Sequence, residues 1–389
     1  MSQSRHDPAT LCVHAGNRAD PEGGINTPLS MATAYGYHGD AGVRYPRYFN
    51  TANQQAVCDK IAALENADDG VLFASGMAAI SSLFMAHLKA GDHLLYTSGG
   101  YGGTDHFIHS EFPRLGIEFS ECGTDIESIR QGLRPNTRMI YVETPGNPLL
   151  DIVDLAGVAS LPRDRQCLLV ADNTFATPIA QQPLLQGFDL VMHSATKYLG
   201  GHSDLSAGAI VGHQQWIGPI RDLASRYGGC LNTLDCWLLE RSIKTLAVRY
   251  QQQQSNALQL AETLTATAGI AKVYYPGLAR HPGHEHARDQ MQGYGAMLSF
   301  ELTPDHCPDT FENSLRIIRS AVSLGGVEST ICRPILTSHA KTDPEKRSRM
   351  GINSRLMRLS SGIENPLDLL TDIVTALQQS AGARATAAC

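Results

Sequence analysis

The sequence contains no apolar run approaching the ~20 residues that a membrane span requires, and no block of like charges that would read as an interaction tail. No membrane contact is therefore expected. The formal charge is −7, and without the basic stripe that a phosphate backbone demands, nucleic acid is not expected as a partner either. The nine cysteines are scattered, odd in number and form no Cys-X-X-Cys pair, which reads as reduced thiols rather than a disulfide framework. The opening MSQSRHDPAT has neither an apolar core nor an Arg- and Ser-rich amphipathic presequence. Together these features predict a cytoplasmic protein. Internal repeats and low-complexity tracts are absent.

What is present points to a folded protein that handles small molecules. Hydrophobic residues make up 42% and charged residues 18% of 389 residues, ordinary values for a globular chain long enough for one large domain and one smaller one. From about residue 70 to residue 212, short apolar runs alternate with helix-like stretches: His93 to Ser98, Ile117 to Cys122, Arg138 to Glu143, Cys167 to Asn173, Leu190 to Thr196 and Ala207 to Gly212. Such alternation predicts an α/β fold with a mostly parallel central sheet. A helical stretch from Leu234 to Thr267 follows. Beyond it come strand-like KVYYP, GAMLSFEL and LMRLSSGI, and helix-like segments at Asp309 to Val322 and Pro366 to Ser380. The expected organisation is an arm over 1–45, a large α/β domain over 46–240 and a smaller carboxyl-terminal α+β domain over 241–389.

In a parallel sheet, ligands bind at the carboxyl ends of strands. LVMHSATKYLGGHSD places Ser194, Thr196 and Lys197 at such an end. A desolvated lysine loses its proton readily and its free amine condenses with an aldehyde, while the hydroxyls suit a phosphate; a plain surface lysine is the competing reading. CLLVADNTFATP puts Asp172 at the end of another apolar run, where a carboxylate calls for a cationic partner such as a protonated pyridine nitrogen; a turn or cap aspartate is the alternative. FASGMAAISSLFMAHL reads as a glycine turn opening a helix, so that the amides of Gly76 and Met77 offer an anion site, or merely start a helix. His281, His284 and His286 of HPGHEH have a metal-like look, and Cys230 and Cys236 read as packing residues.

The motifs SGMAA, YGGT, ETPGNP, ADNTFATP, SATKYLGGHSD, GAMLSFEL, SLGGVES and RLSSGIE stand in an order and spacing that resembles the Cys/Met-metabolism enzymes dependent on pyridoxal 5'-phosphate (PLP), across nearly the whole chain. That family includes cystathionine γ-synthase, cystathionine β- and γ-lyases and methionine γ-lyase. The resemblance implies a PLP-dependent transferase fold of type I and an amino-acid substrate. It implies that Lys197 carries the cofactor and moves the Cα proton, that Asp172 pairs with the pyridinium nitrogen, and that Tyr101 stacks on the ring and assists proton transfer. Gly76, Met77, Ser194 and Thr196 would bind the phosphate, joined by Tyr45 and Arg47 from a neighbouring subunit. Arg358 would clamp the substrate carboxylate with Ser323 helping, Asn147 would contact the cofactor's phenolic oxygen or that carboxylate, Val322 would also border the substrate, and no metal is implied. The implied assembly is a homotetramer, a dimer of dimers with active sites shared between subunits.

The reaction is less determined by the resemblance. Members that handle cystathionine at Cγ usually carry a glutamate just before SLGG, where this chain has Val322; methionine γ-lyases and some β-lyases have an apolar residue there. Methionine γ-lyases also carry a cysteine where this chain has Gly103, and a Lys-Asp pair where it has Ala224 and Ser225. The family's usual Asn-Pro-Thr is replaced by Asn50-Thr51-Ala52, and TICRPILTSHA is expected to put Arg333 near the substrate entrance. The expected function is β/γ-elimination on a sulfur-containing or otherwise γ-substituted amino acid. The alternatives are γ-replacement on an activated homoserine, a specialised relative that eliminates halide or forms an alkyne, and a binding protein that keeps the cofactor without turnover.

Overall fold

A computed structural model describes residues 6–38 and 42–382, so Cys389 lies outside the described residues. Seven strands form the larger sheet: β1 Asp69–Phe73, β2 His93–Thr97, β3 Glu118–Cys122, β4 Thr137–Glu143, β5 Leu168–Asp172, β6 Leu190–His193 and β7 Gly208–Gly212. They lie in the order β1-β7-β6-β5-β4-β2-β3. β7 runs antiparallel to both of its neighbours, and the other pairings are parallel. Every residue of β2, β5, β6 and β7 is buried, the pattern of a sheet covered by helices on both faces.

A second sheet comprises β8 Ile270–Tyr274, β9 Met297–Leu302, β10 Arg319–Ser320, β11 Thr330–Cys332 and β12 Leu356–Ser360, ordered β10-β11-β12-β9-β8. It is antiparallel apart from the β10–β11 pair. The helix Pro366–Ser380 packs on its own core there. Among the described residues no helix is long and apolar enough to cross a membrane.

Besides β1, which the apolar runs did not mark, local structure departs from the sequence expectation in three places. The long helix expected over 234–267 is two helices, Thr233–Ile243 and Leu246–Thr265. At the break the Ser242 carbonyl accepts from Thr245 N at 3.2 Å, Thr245 Oγ1 at 3.1 Å and the buried Arg249 guanidinium at 3.0 Å, so side chains take over bonds that a continuous helix would supply. The helix expected over 309–322 ends at Ser314. The buried Asp372 carboxylate accepts from the amides of Arg316, Ile317 and Ile318 at 2.8–2.9 Å, which turns the chain into β10. Within the amino-terminal stretch expected as an arm, Pro8–His14 is a helix capped by Asp7, and its Cys12 is buried in one core cluster with Val57 and Ile61.

Candidate functional site

Five strands of the larger sheet deliver polar residues to one region. Asp172 and Glu143 are the last residues of β5 and β4, Lys197 follows β6, Tyr101 follows β2, and Gly76 follows β1. A cavity of about 590 Å³ lies there, lined by all of these and closed from the second sheet by Val322, Ser323 and Arg358. Met77, Asn147, Ser194 and Thr196 also line it. The structure thus brings eleven of the thirteen expected site residues together.

The floor is a pair of carboxylates set by strand register. Glu143 and Asp172 are direct partners across β4 and β5, so their side chains leave the same face of the sheet. Both are buried. Asp172 accepts from Thr174 Oγ1 at 2.5 Å and from Tyr141 Oη at 3.0 Å. Burial raises its carboxyl above the ordinary range, and those hydrogen bonds oppose the rise. Glu143 is held well above the usual carboxylate range, by burial first and by the Asp172 charge second. Two adjacent charges are disfavoured in such a place unless a cation joins them. Glu143 Oε2 accepts from Tyr101 N at 2.7 Å, fixing the turn that carries the tyrosine.

Lys197 Nζ donates to Ser323 Oγ at 2.8 Å. Burial, with the Arg358 guanidinium nearby, draws its amine down from 10.5 to about 8. Ser323 holds φ at 79°, a backbone conformation costly for a residue with a side chain. Two residues on, Gly325 stands at φ 80°, where a Cβ would lie 2.7 Å from Tyr198 N. The glycine is needed for this turn to close on the lysine's backbone. Arg358, 6% exposed, donates through Nη1 to Asn147 Oδ1 at 2.8 Å, while its buried Nε has no hydrogen-bond partner among the described residues. That unpaired donor suits a carboxylate.

On the opposite side, Ser75 caps the helix Gly76–His87, its side chain accepting from Ala78 N at 3.1 Å. The first-turn amides of a helix have no intrahelical acceptor and its dipole is positive there, so Gly76 and Met77 present an anion site beside Ser194 and Thr196. Tyr101 is 44% exposed and Val322 71%, which puts them at the open side of the cavity.

Tyr45 and Arg47 do not reach this cavity within one chain. Arg47 donates to Ser225 O at 2.6 Å, with its guanidinium over the rings of Tyr45 and Tyr48. Arg333, expected near the entrance, is instead buried and paired with Asp309 and with Glu312, the latter at 2.8 Å. Those two acids lie on or beside the short helix Pro308–Ser314, away from the cavity lining. His281 and His284 bond within their own turn, to Gly283 N and Pro276 O. Glu143, Tyr141 and Thr174 went unassigned in the sequence. Glu143 and Thr174 sit inside the quoted motifs ETPGNP and ADNTFATP; strand register places Glu143 beside Asp172, and Thr174 bonds it from two residues on.

The sequence profile of the Cys/Met metabolism PLP-dependent enzymes matches residues 9–378. The chain is 40% identical to a cystathionine gamma-lyase of Bacillus subtilis over 377 residues, covering 95% of this chain and 98% of the relative. It is 39% identical to a cystathionine gamma-synthase of Mycobacterium tuberculosis over 382 residues, covering 95% and 96%. The crystal structure of a cystathionine gamma-lyase from Lactobacillus plantarum, complexed with L-serine, superposes with a TM-score of 0.92 at 38% identity, over 96% of this chain and 99% of that one. Matched in this way over nearly all of its sequence and fold, the chain belongs to the Cys/Met metabolism PLP-dependent enzymes.

Proposed function

We propose that the protein is a lyase performing β- or γ-elimination on a sulfur-containing or otherwise γ-substituted amino acid, releasing ammonia and a 2-oxo acid. One observation carries the choice of elimination over γ-replacement. Among the residues lining the cavity the cations are Lys197 and Arg358, and the remaining wall is apolar or uncharged at Val322, Leu324, Leu336, Thr337 and Ser338. This lining can grip one α-amino carboxylate. Among the described residues of one chain it offers no second cation for the carboxylate of an incoming amino-acid thiol, which a γ-synthase must hold at the same time.

PLP is the cofactor of the family and supplies an electron sink that acidifies the Cα proton. The residues present suit it: a buried carboxylate without a cation of its own at Asp172, a lysine with a lowered pKa, and a helix start flanked by hydroxyls. In our reading Lys197 anchors the cofactor and then takes the proton from Cα as its free amine, with Ser323 Oγ orienting Nζ. Asp172 meets the ring nitrogen, and Thr174 and Tyr141 steady its carboxylate. Gly76, Met77, Ser194 and Thr196 hold the phosphate, with Tyr45 and Arg47 of a second copy of the chain completing the cradle in a dimer, two of which pair as a tetramer. Arg358, oriented by Asn147, clamps the substrate carboxylate with its free Nε. Tyr101 covers the ring and manages the proton of the substrate amine.

A panel of methionine, homocysteine, cystathionine, cysteine, O-acylhomoserines and γ-halogenated amino acids tests the reading. Release of ammonia and 2-oxo acid without an added thiol is expected from at least one of them. Product formation only with an added thiol overturns it in favour of replacement.

A further inference from the structure

Between β11 and β12 the chain leaves the second sheet as a strap of two short pieces, the 3-10 turn Pro334–Leu336 and the helix Pro344–Arg349. Leu336, Thr337 and Ser338 form part of the cavity wall. The Ser338 carbonyl packs against Gly102 so closely that a Cβ there would lie 2.2 Å from it. Gly102 opens the helix Gly102–Leu115, whose N-cap is Tyr101. The strap therefore touches the turn that carries Tyr101 while walling the same cavity.

Beside that contact, an ion-pair cluster attaches it to the large domain. Lys346 Nζ lies 2.8 Å from Asp105 Oδ1 and 2.9 Å from Glu121 Oε2. Asp105 stands in the first turn of the helix that begins at Gly102, and Glu121 lies on β3. The lysine side chain is 19% exposed and its partners 26% and 29%, so solvent only partly screens the pairs. Asp105 is steadied by Tyr96 Oη at 3.1 Å. At the strap's start, Arg333 is tied within its own domain to Asp309 and Glu312. One end of the strap is thus anchored at home and the other is latched across the domains.

We propose that Lys346 is a positioning residue for substrate selection: its bridge to Asp105 and Glu121 holds the Leu336–Ser338 wall closed and limits the length of side chain that the cavity accepts. This rests on reading the cavity as the amino-acid site. With the latch shut, the wall meets a short side chain; with it open, longer side chains fit and short ones lose that contact.

The test uses the PLP-loaded enzyme with Lys346→Met and Lys346→Arg. Two partly exposed pairs suggest an effect of about three- to tenfold. Tryptic cleavage within the strap, after Lys341, Arg347 or Arg349, should speed up by about that factor in K346M and stay near wild type in K346R. The dissociation constants of alanine and norleucine, read from the change in cofactor absorbance, should change in ratio by a similar factor in favour of norleucine, again only in K346M. Unchanged cleavage, or equal changes for the two ligands, would overturn the latch. Neither readout needs turnover, so a wild-type enzyme that releases no 2-oxo acid from any amino acid would remove the elimination reading and leave the latch tested on its own.

Discussion

The two walls of the site are built differently. On the large-sheet side, Asp172, Glu143 and the Ser194–Lys197 segment stand at adjacent strand ends, and buried backbone pairing sets their spacing. On the second-sheet side, Ser323 sits in a turn at positive φ, Arg358 is aimed by Asn147, and the strap is held by Lys346. A main-chain ladder moves little when a side chain changes, whereas a wall fixed by side chains can be retuned one residue at a time. On the proposed reading, cofactor chemistry would be seated in the rigid half and substrate choice in the adjustable half. A family containing both lyases and synthases at similar identity fits that division.

The comparison breaks most severely at Lys197. Lys197→Ala should abolish turnover and the yellow colour of bound cofactor, and borohydride should no longer fix the cofactor to the protein. Persistent borohydride fixation at the same site would move the anchoring role elsewhere. Tyr101→Phe comes next. It keeps the stacking face and removes the hydroxyl, so colour should persist while kcat falls by about 10²–10⁴-fold, the range for a general acid–base group. A fall of only severalfold would leave Tyr101 as a platform. Arg358→Ala tests the adjustable wall. Charge-assisted hydrogen bonds contribute about 1.5–3 kcal/mol, so KM should rise roughly 10- to 150-fold with the colour unchanged. An unaltered KM would put the carboxylate elsewhere, and a lost colour would erase the distinction between the walls.

The smallest effect concerns pH. Only the uncharged amine of Lys197 can attack an aldehyde, and burial lowers its pKa to about 8. Capture of PLP by the apoprotein, followed by absorbance, should therefore quicken about tenfold per pH unit below that value and level off above it. A rate still climbing at pH 10 would mean an amine that is not desolvated.

How far the site was readable follows the same physics. Lys197 and Asp172 announced themselves because each stands at the end of an apolar run in a βα alternation, where local pattern alone locates a strand end, and the Gly76–Met77 turn did so as a glycine opening a helix. β1 escaped notice because DGVLF opens with a turn-like Asp-Gly pair. The helix break at Lys244 and the early end at Ser314 were invisible because side-chain hydrogen bonds, which hydrophobic periodicity does not report, cause them. Arg249 bonds back to the Ser242 carbonyl, and Asp372 draws in three amides more than fifty residues away. Arg333 was misplaced for a related reason, since its acidic partners lie on a helix that the periodicity had drawn too long.

By itself, the sequence determined the α/β alternation, the family and the identity of most polar residues at the strand ends, because periodicity and motif spacing are local properties of the chain. Only the tertiary structure decided that Glu143 lies beside Asp172, that the Arg358 Nε is left without a partner among the described residues, and that Lys346 reaches Asp105 across 241 positions. Strand register and interdomain charge pairs depend on which distant segments meet, and burial then sets how strongly those charges act on one another.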